Sequence, residues 1–213
     1  MPFSKVEMLL AARRVADYAT ELGVDIEPRE IGAAYDHMGA LLTDTVLQAG
    51  LNYKTVVLPR VQSVLTRYPY HYRTSDVMEI VRGGEASAFL TWSHGEKLAR
   101  FEGLATLLHA RSVETVSDLG KQLGDDRFVA SVLALKGIGN KTVDYMGCLA
   151  GLDSVAVDRH IRTFARRAGV LEDDYHFLRS VFCCSADLLG VSRRAFDAWV
   201  WDRESMLATT GRE

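Results

Sequence analysis

The stretch LKGIGNKTVDYMGCLAGLDSVAVDRHIRTFARR, residues 135–167, decides the fold. It holds a Gly-Ile-Gly turn, a lysine just after it, and an aspartate 17 positions beyond that lysine. Residues 125–150 predict a helix, a tight turn and a second helix. Gly137 and Gly139 tolerate backbone angles that other residues resist, and their missing side chains let another molecule come close. The first amides of a helix beginning near Asn140 leave the turn unpaired by helix bonds, an arrangement suited to an anion such as phosphate. Taken alone, the glycines are better explained by an ordinary helical hairpin with a glycine-rich turn.

The residues after the turn add chemistry. Lys141 falls in the first turn of the new helix, where the helix dipole disfavours a cation by roughly 0.3–1 kcal/mol. An ammonium so placed is more easily a neutral, nucleophilic amine; taken alone, Lys141 is also a plain solvated lysine. Asp158 follows the apolar run Val155-Ala156-Val157 and is well placed to cap the helix that opens there. That helix is expected to bury Ile161, Phe164, Ala165 and Ala168, with Arg159, Arg162 and Arg166 on another face. Between 136 and 167, two Lys and four Arg stand against three Asp, a balance of +3 inside a chain of net charge −3. A phosphate-binding face is therefore expected here, gripping backbone rather than reading bases.

The remaining sequence predicts an all-α chain. Of 213 residues, 48% are hydrophobic and 25% charged, which suits a folded core rather than disorder. Apolar residues recur at helical spacing, and no segment alternates at the β period. No apolar run approaches the ~20 residues of a membrane helix, and residues 1–23 lack the uninterrupted apolar core of a signal peptide. Those residues predict an amphipathic helix ending near Gly23. Pro28 is expected near the start of the next helix, and residues 31–50 a long helix closed by Gly50. Pro59 marks a kink or boundary in 53–69. A short helix is expected over 74–84, capped by Thr74 or Ser75. Leu98, Phe101, Leu104, Ala105 and Leu108 form the stripe of a helix over 95–110. The helix before the turn is expected to bury Phe128, Val129, Val132 and Leu133. Two helices close the chain. Cys148, Cys183 and Cys184 form neither a disulfide framework nor a metal motif, which suits a reducing compartment.

The combination resembles the helix-hairpin-helix (HhH-GPD) DNA glycosylase superfamily, which contains endonuclease III and the adenine-mismatch glycosylases. The family hairpin, Leu-x-Gly-hydrophobic-Gly-x-Lys-Thr, is matched by Leu135, Gly137, Ile138, Gly139, Lys141 and Thr142. Its Val-Asp-x-His segment is matched by Val157, Asp158 and His160. LLTDTVLQAG resembles the family helix whose terminal Gln fills the space left by a flipped base, which points to Gln48. EKLARF resembles a lysine-containing helix start that recurs there. The resemblance spans about residues 30–168.

It implies two helical lobes with a DNA-binding cleft between them: one over 29–152, the other formed by 1–28 and 153–213. It implies a base-excision enzyme that everts a damaged or mispaired base, cleaves its N-glycosidic bond and nicks the strand through a Schiff base on Lys141. Asp158 would stabilise positive charge on the sugar. Asp44, one helical turn before Gln48, matches the place where adenine-mismatch relatives carry a carboxyl that protonates the departing base; a surface charge is its plainer role. Gln48, Gly137, Gly139, Asn140, Thr142, Arg159, His160 and Arg162 would contact DNA. Trp92 and His94 lie near the family's wedge position, where a core Trp is also natural. The backbone carbonyls of Leu133, Leu135 and Ile138 match a monovalent site for K+ or Na+. The four closely spaced cysteines of endonuclease III are missing, so no iron–sulfur cluster is expected and no cofactor is required. The expected partner is double-stranded DNA with a lesion or mismatch, bound by a monomer with no membrane association, in the cytoplasm or on a prokaryotic nucleoid. Two alternatives stand beside this: a hydrolytic-only glycosylase, of adenine-mismatch or alkyl-base type, and a non-catalytic DNA-binding hairpin module.

Overall fold

The computed structural model describes residues 3–27 and 32–210, and every regular element among them is helical. In chain order these are α1 (Lys5–Glu21), α2 (Met38–Leu47), a π-helical turn (Tyr53–Val57), α3 (Leu58–Arg67), α4 (Thr74–Arg82) and α5 (Ala86–Leu90). Then come α6 (Gly95–Ala110), α7 (Val116–Gln122), α8 (Asp126–Leu133), α9 (Asn140–Leu149), α10 (Arg159–Arg167), α11 (Tyr175–Leu189) and α12 (Arg193–Thr210). The chain divides into two compact units, Met1–Ile31 with Asp153–Glu213, and Gly32–Leu152. Pro28 and the 28/29 boundary lie outside the described residues.

In the unit containing both termini, α1 packs on α11 through small residues. Ala11, Ala12, Val15 and Ala19 are buried on α1, and Ser185 and Ala186 on α11. The Ser185 hydroxyl lies 2.7 Å from the Val181 carbonyl and 3.0 Å from that of Ala12, so it bridges the two helices. Ser4 caps α1 with a reciprocal bond from Glu7. Phe164 of α10 is the hub of this core. Its ring meets Tyr18 at 5.1 Å, Trp199 at 5.8 Å, Phe182 at 6.1 Å and Phe196 at 6.4 Å. Ala168, expected in that core, is only half-buried at the end of α10.

The unit 32–152 is built around α2, whose ten residues are all buried. The helix expected over 31–50 starts only at Met38. His37 is extended, and its Nδ1 accepts the Ala40 amide at 3.0 Å. A ring nitrogen thus caps the helix where the sequence showed no Ser, Thr, Asp or Asn. Close packing explains Gly39, where a Cβ would stand 2.9 Å from the Phe89 ring. Pro59 sits at the first positions of α3, a boundary rather than a kink. Arg73, not Thr74 or Ser75, precedes α4: its amide donates to Asp76, while the Thr74 hydroxyl is spent on the Val113 carbonyl at 2.6 Å. Val129 and Leu133 are half-buried, leaving Phe128 and Val132 as the buried pair of α8.

Phe164→Ala would leave a cavity among four rings and is expected to lower stability by about 3–5 kcal/mol. Urea unfolding measures it; a loss under 1 kcal/mol would show that Phe164 is not the hub of this core.

Candidate functional site

The site in the unit 32–152 is made by α2 and α9 side by side. Lys141 and Tyr145 stand one turn apart on α9, and Asp44 and Gln48 one turn apart on α2. They meet as two rungs. Lys141 Nζ donates to Gln48 Oε1 at 2.8 Å, and the Tyr145 hydroxyl donates to Asp44 Oδ1 at 2.9 Å.

Asp44 has no exposed surface. Its second oxygen, Oδ2, accepts from Tyr35 at 2.8 Å and Tyr53 at 3.2 Å. Three phenols therefore supply the hydrogen bonds that a buried carboxylate needs. Burial raises the Asp44 pKa, the larger effect, and the three phenols oppose it by favouring the anion. The phenols are raised in turn, by burial first and then by the carboxylate beside them.

Gln48 ends α2 as its C-cap. Its Nε2 is buried with no hydrogen-bond partner among the described residues. Beneath it, Lys97 of α6 is only 9% exposed. Lys97 Nζ donates to the carbonyls of Val46 at 2.8 Å, Leu47 at 3.3 Å and Ala49 at 2.9 Å, closing the end of α2. Burial, then the charges of Arg100 and Lys141, bring the Lys97 pKa down to about 8. The sequence stripe assigned to α6 missed this residue. Lys97 lies one turn before Phe101, at the head of the buried face, and a lysine there was the signal.

In the turn between α8 and α9, Gly137 has φ +82°, a left-handed conformation suited to glycine. A Cβ there would stand 2.2 Å from Nε of Arg100, so the guanidinium lies against the bare backbone. Gly139 differs from the expectation. Its φ of −123° is extended backbone open to any residue, and a Cβ there meets nothing within 4 Å. What Gly139 leaves is a bare surface at the start of α9, with no side-chain cap. Asn140 and Thr142 lie in that first turn, and the Thr142 amide returns to the Gly139 carbonyl at 2.9 Å. In the turn, Leu135 O accepts the Ile138 amide at 3.1 Å. No group of His, Cys, Asp or Glu suited to a metal occurs among the described residues.

Trp92 and His94 lie between α5 and α6. The Trp92 ring packs on the core with Arg60 5.1 Å above it, and its Nε1 is buried without a partner. His94 is exposed and precedes α6.

The other unit carries Asp158. It caps α10, with Oδ1 accepting the amides of His160 at 2.7 Å and Ile161 at 3.1 Å. Oδ2 takes part in neither bond. His160 is buried with its ring 5.8 Å from that of Trp201, and Arg159 Nε lies 3.2 Å from its Nε2. The arginine face is less free than its charge sum suggested. Arg162 and Arg166 both pair with Asp173, at 2.9 and 3.3 Å, and Arg167 reaches the buried Glu204 at 3.4 Å. Both acids lie outside the segment whose charges were summed. No helix among the described residues is long and apolar enough to cross a membrane.

No protein-family model, curated protein or solved structure matches the chain.

Asp44→Asn removes the ionisable group and keeps its shape. Because the folded-state pKa is raised, the native protein loses stability as pH climbs through that value, and the variant does not. Thermal unfolding should therefore favour the variant, relative to the native chain, more at pH 7 than at pH 4. An equal or reversed difference would mean that the phenols outweigh burial.

Proposed function

We propose that this protein is a base-excision DNA glycosylase with lyase activity at abasic sites, acting on double-stranded DNA that carries a damaged or mispaired base. The observation that carries the reading is the Lys141–Gln48 contact: an amine at the start of a helix, after a glycine turn, beside a buried side-chain donor that lacks a partner. A buried orphan NH2 is costly unless something outside the chain uses it. Carbonyl oxygens on the Watson–Crick edge of a base left opposite an everted nucleotide are acceptors of the right kind.

The chemistry needs an amine and an acid. Neutral Lys141 Nζ attacks the sugar C1′ while the bond from C1′ to the base nitrogen breaks, and the electron pair leaves with the base, which takes up a proton. The base's proton comes from Nζ; the C1′–O4′ bond then breaks as C1′ becomes an iminium on Nζ, and O4′ takes up a proton from solvent to become a hydroxyl. Loss of a proton from C2′ then expels the 3′ phosphate and cuts the strand. Asp158 has the role of stabilising positive charge on the sugar. Its cap bonds hold one oxygen, and the other stays out of them. The bare Gly139 surface and the start of α9 suit contact with backbone phosphate, supported by the positive charges of Arg100 and Lys136. Several of the arginines of α10 contribute less, being paired within their own unit.

Borohydride added to the protein and a duplex containing one abasic site should trap a covalent adduct, and Lys141→Ala should abolish it. Trapping that survives in Lys141→Ala would remove Lys141 as the nucleophile. Asp158→Asn should slow base release by at least tenfold, read on a panel of single-lesion duplexes, while DNA binding measured by fluorescence anisotropy stays within a few-fold. Lost binding would make Asp158 a structural cap instead.

A further inference from the structure

Helix α1 is apolar on two sides. Ala11, Ala12, Val15 and Ala19 are buried where it packs on α11. Val6, Leu9 and Leu10, spaced three and four apart on the opposite face, are exposed, Leu10 by 58%. Leu171, in the loop after α10, is 82% exposed, and the exposed Phe3 has its ring 4.5 Å from that of Phe177. Leu10, Leu171 and Phe177 line one groove of about 310 Å3, together with Ala11 and Val170. Phe3, Val6, Leu9, Leu10 and Leu171 are five of the eleven exposed large apolar side chains among the described residues, so they form a patch rather than a scatter. A helix apolar all round is ordinarily buried.

We propose that a second copy of this chain covers this face, in a symmetric dimer built on α1 and the loop after α10.

Two properties of the patch favour its own copy. In a two-fold interface one patch serves both partners, so it must carry knob and hole together. Leu171 projects beside the groove that it helps to line, and a two-fold sets the Leu171 of each copy over the groove of the other. Charge follows the same rule. Glu7 and Arg14 stand three residues before Leu10 and four after it, and both line the groove. Two α1 helices laid antiparallel about Leu10 therefore bring Glu7 of each about level with Arg14 of the other. Arg14 is available for this. Its contact within the chain is the Gly169 carbonyl at 3.4 Å, and it makes no ion pair among the described residues. Glu7 bonds Ser4 through Oε2, which leaves Oε1 for a partner.

A partner of one charge sign fits this rim less well. Nucleic acid or an anionic membrane surface would meet Glu7 and Glu172, and a basic peptide would meet Arg14. The family resemblance implies a monomer, whereas this face favours a pair. The pairing does not depend on the function proposed above.

Sedimentation velocity of the full chain over a dilution series tests it. The native chain should pass from dimer to monomer with a midpoint of roughly 1–100 µM, as suits a small interface. Leu171→Asp, at a position too exposed to matter for folding, should raise that midpoint about tenfold or more and leave the thermal midpoint unchanged. Arg14→Glu should weaken the dimer as well. Glu7→Lys combined with Arg14→Glu should recover it, because the exchanged charges still meet across the two-fold. Leu171→Asp alone decides the matter if the charge exchange unfolds α1. A native chain that stays monomeric at about 200 µM overturns the proposal. So does a dimer indifferent to Leu171→Asp, which would lie on another face. A folded double variant no better than Arg14→Glu alone overturns the two-fold pairing.

Discussion

Helix α2 is buried along all ten of its residues, and that single fact governs the unit around it. A helix enclosed on every side has no water to satisfy its end carbonyls or its polar side chains. Most of these find a partner inside; Thr45 Oγ1 and Gln48 Nε2 are buried without one among the described residues. Lys97 serves the carbonyls at the C-terminal end, and His37 serves an amide at the N-terminal end. Three tyrosines serve Asp44. The site is what results when these requirements are met within two turns of helix.

The polar groups are sorted by sign along α2. Asp44 lies in a shell of phenols, and one turn on, at Gln48, the cations Lys97 and Lys141 converge. The phenols donate to the carboxylate. The carbonyls accept from Lys97 and fix it. The two rungs to α9 therefore have opposite electrostatic character although they are a single turn apart. At the Asp44 rung burial favours the protonated acid. Gly137 belongs to the same arrangement, because its missing side chain is what lets the Arg100 guanidinium lie against the turn.

The second unit shows how the same residue types behave when partners are at hand. The arginines of α10 looked like a phosphate-binding face in the sequence. Asp173, just past that helix, takes two of them, and the buried Glu204 of α12 takes a third. Asp158 is a helix cap whose bonds to the His160 and Ile161 amides occupy one of its oxygens. His160 is buried against Trp201 rather than presented outward.

Much of this was legible in the residue order alone. Helical spacing of apolar residues marked most of the helices, and a glycine turn marked the joint between α8 and α9, because those signals are local. Lys141, Gln48, Asp44 and Asp158 stood out for the same reason. What the sequence could not supply was partnership. Gly137 and Gly139 look alike on paper, yet one is left-handed under a guanidinium and the other is ordinary extended backbone. Tyr35, Tyr53 and Tyr145 lie far apart in the chain and close on one carboxyl only after α2, the π-helical turn and α9 have packed. Lys97 looked like the polar start of a helix and became a buried cap for another. Local conformation follows from backbone sterics and short-range bonds, which sequence spacing encodes. The fate of a charge is decided by whatever packing brings to it, and that is fixed only when the helices meet.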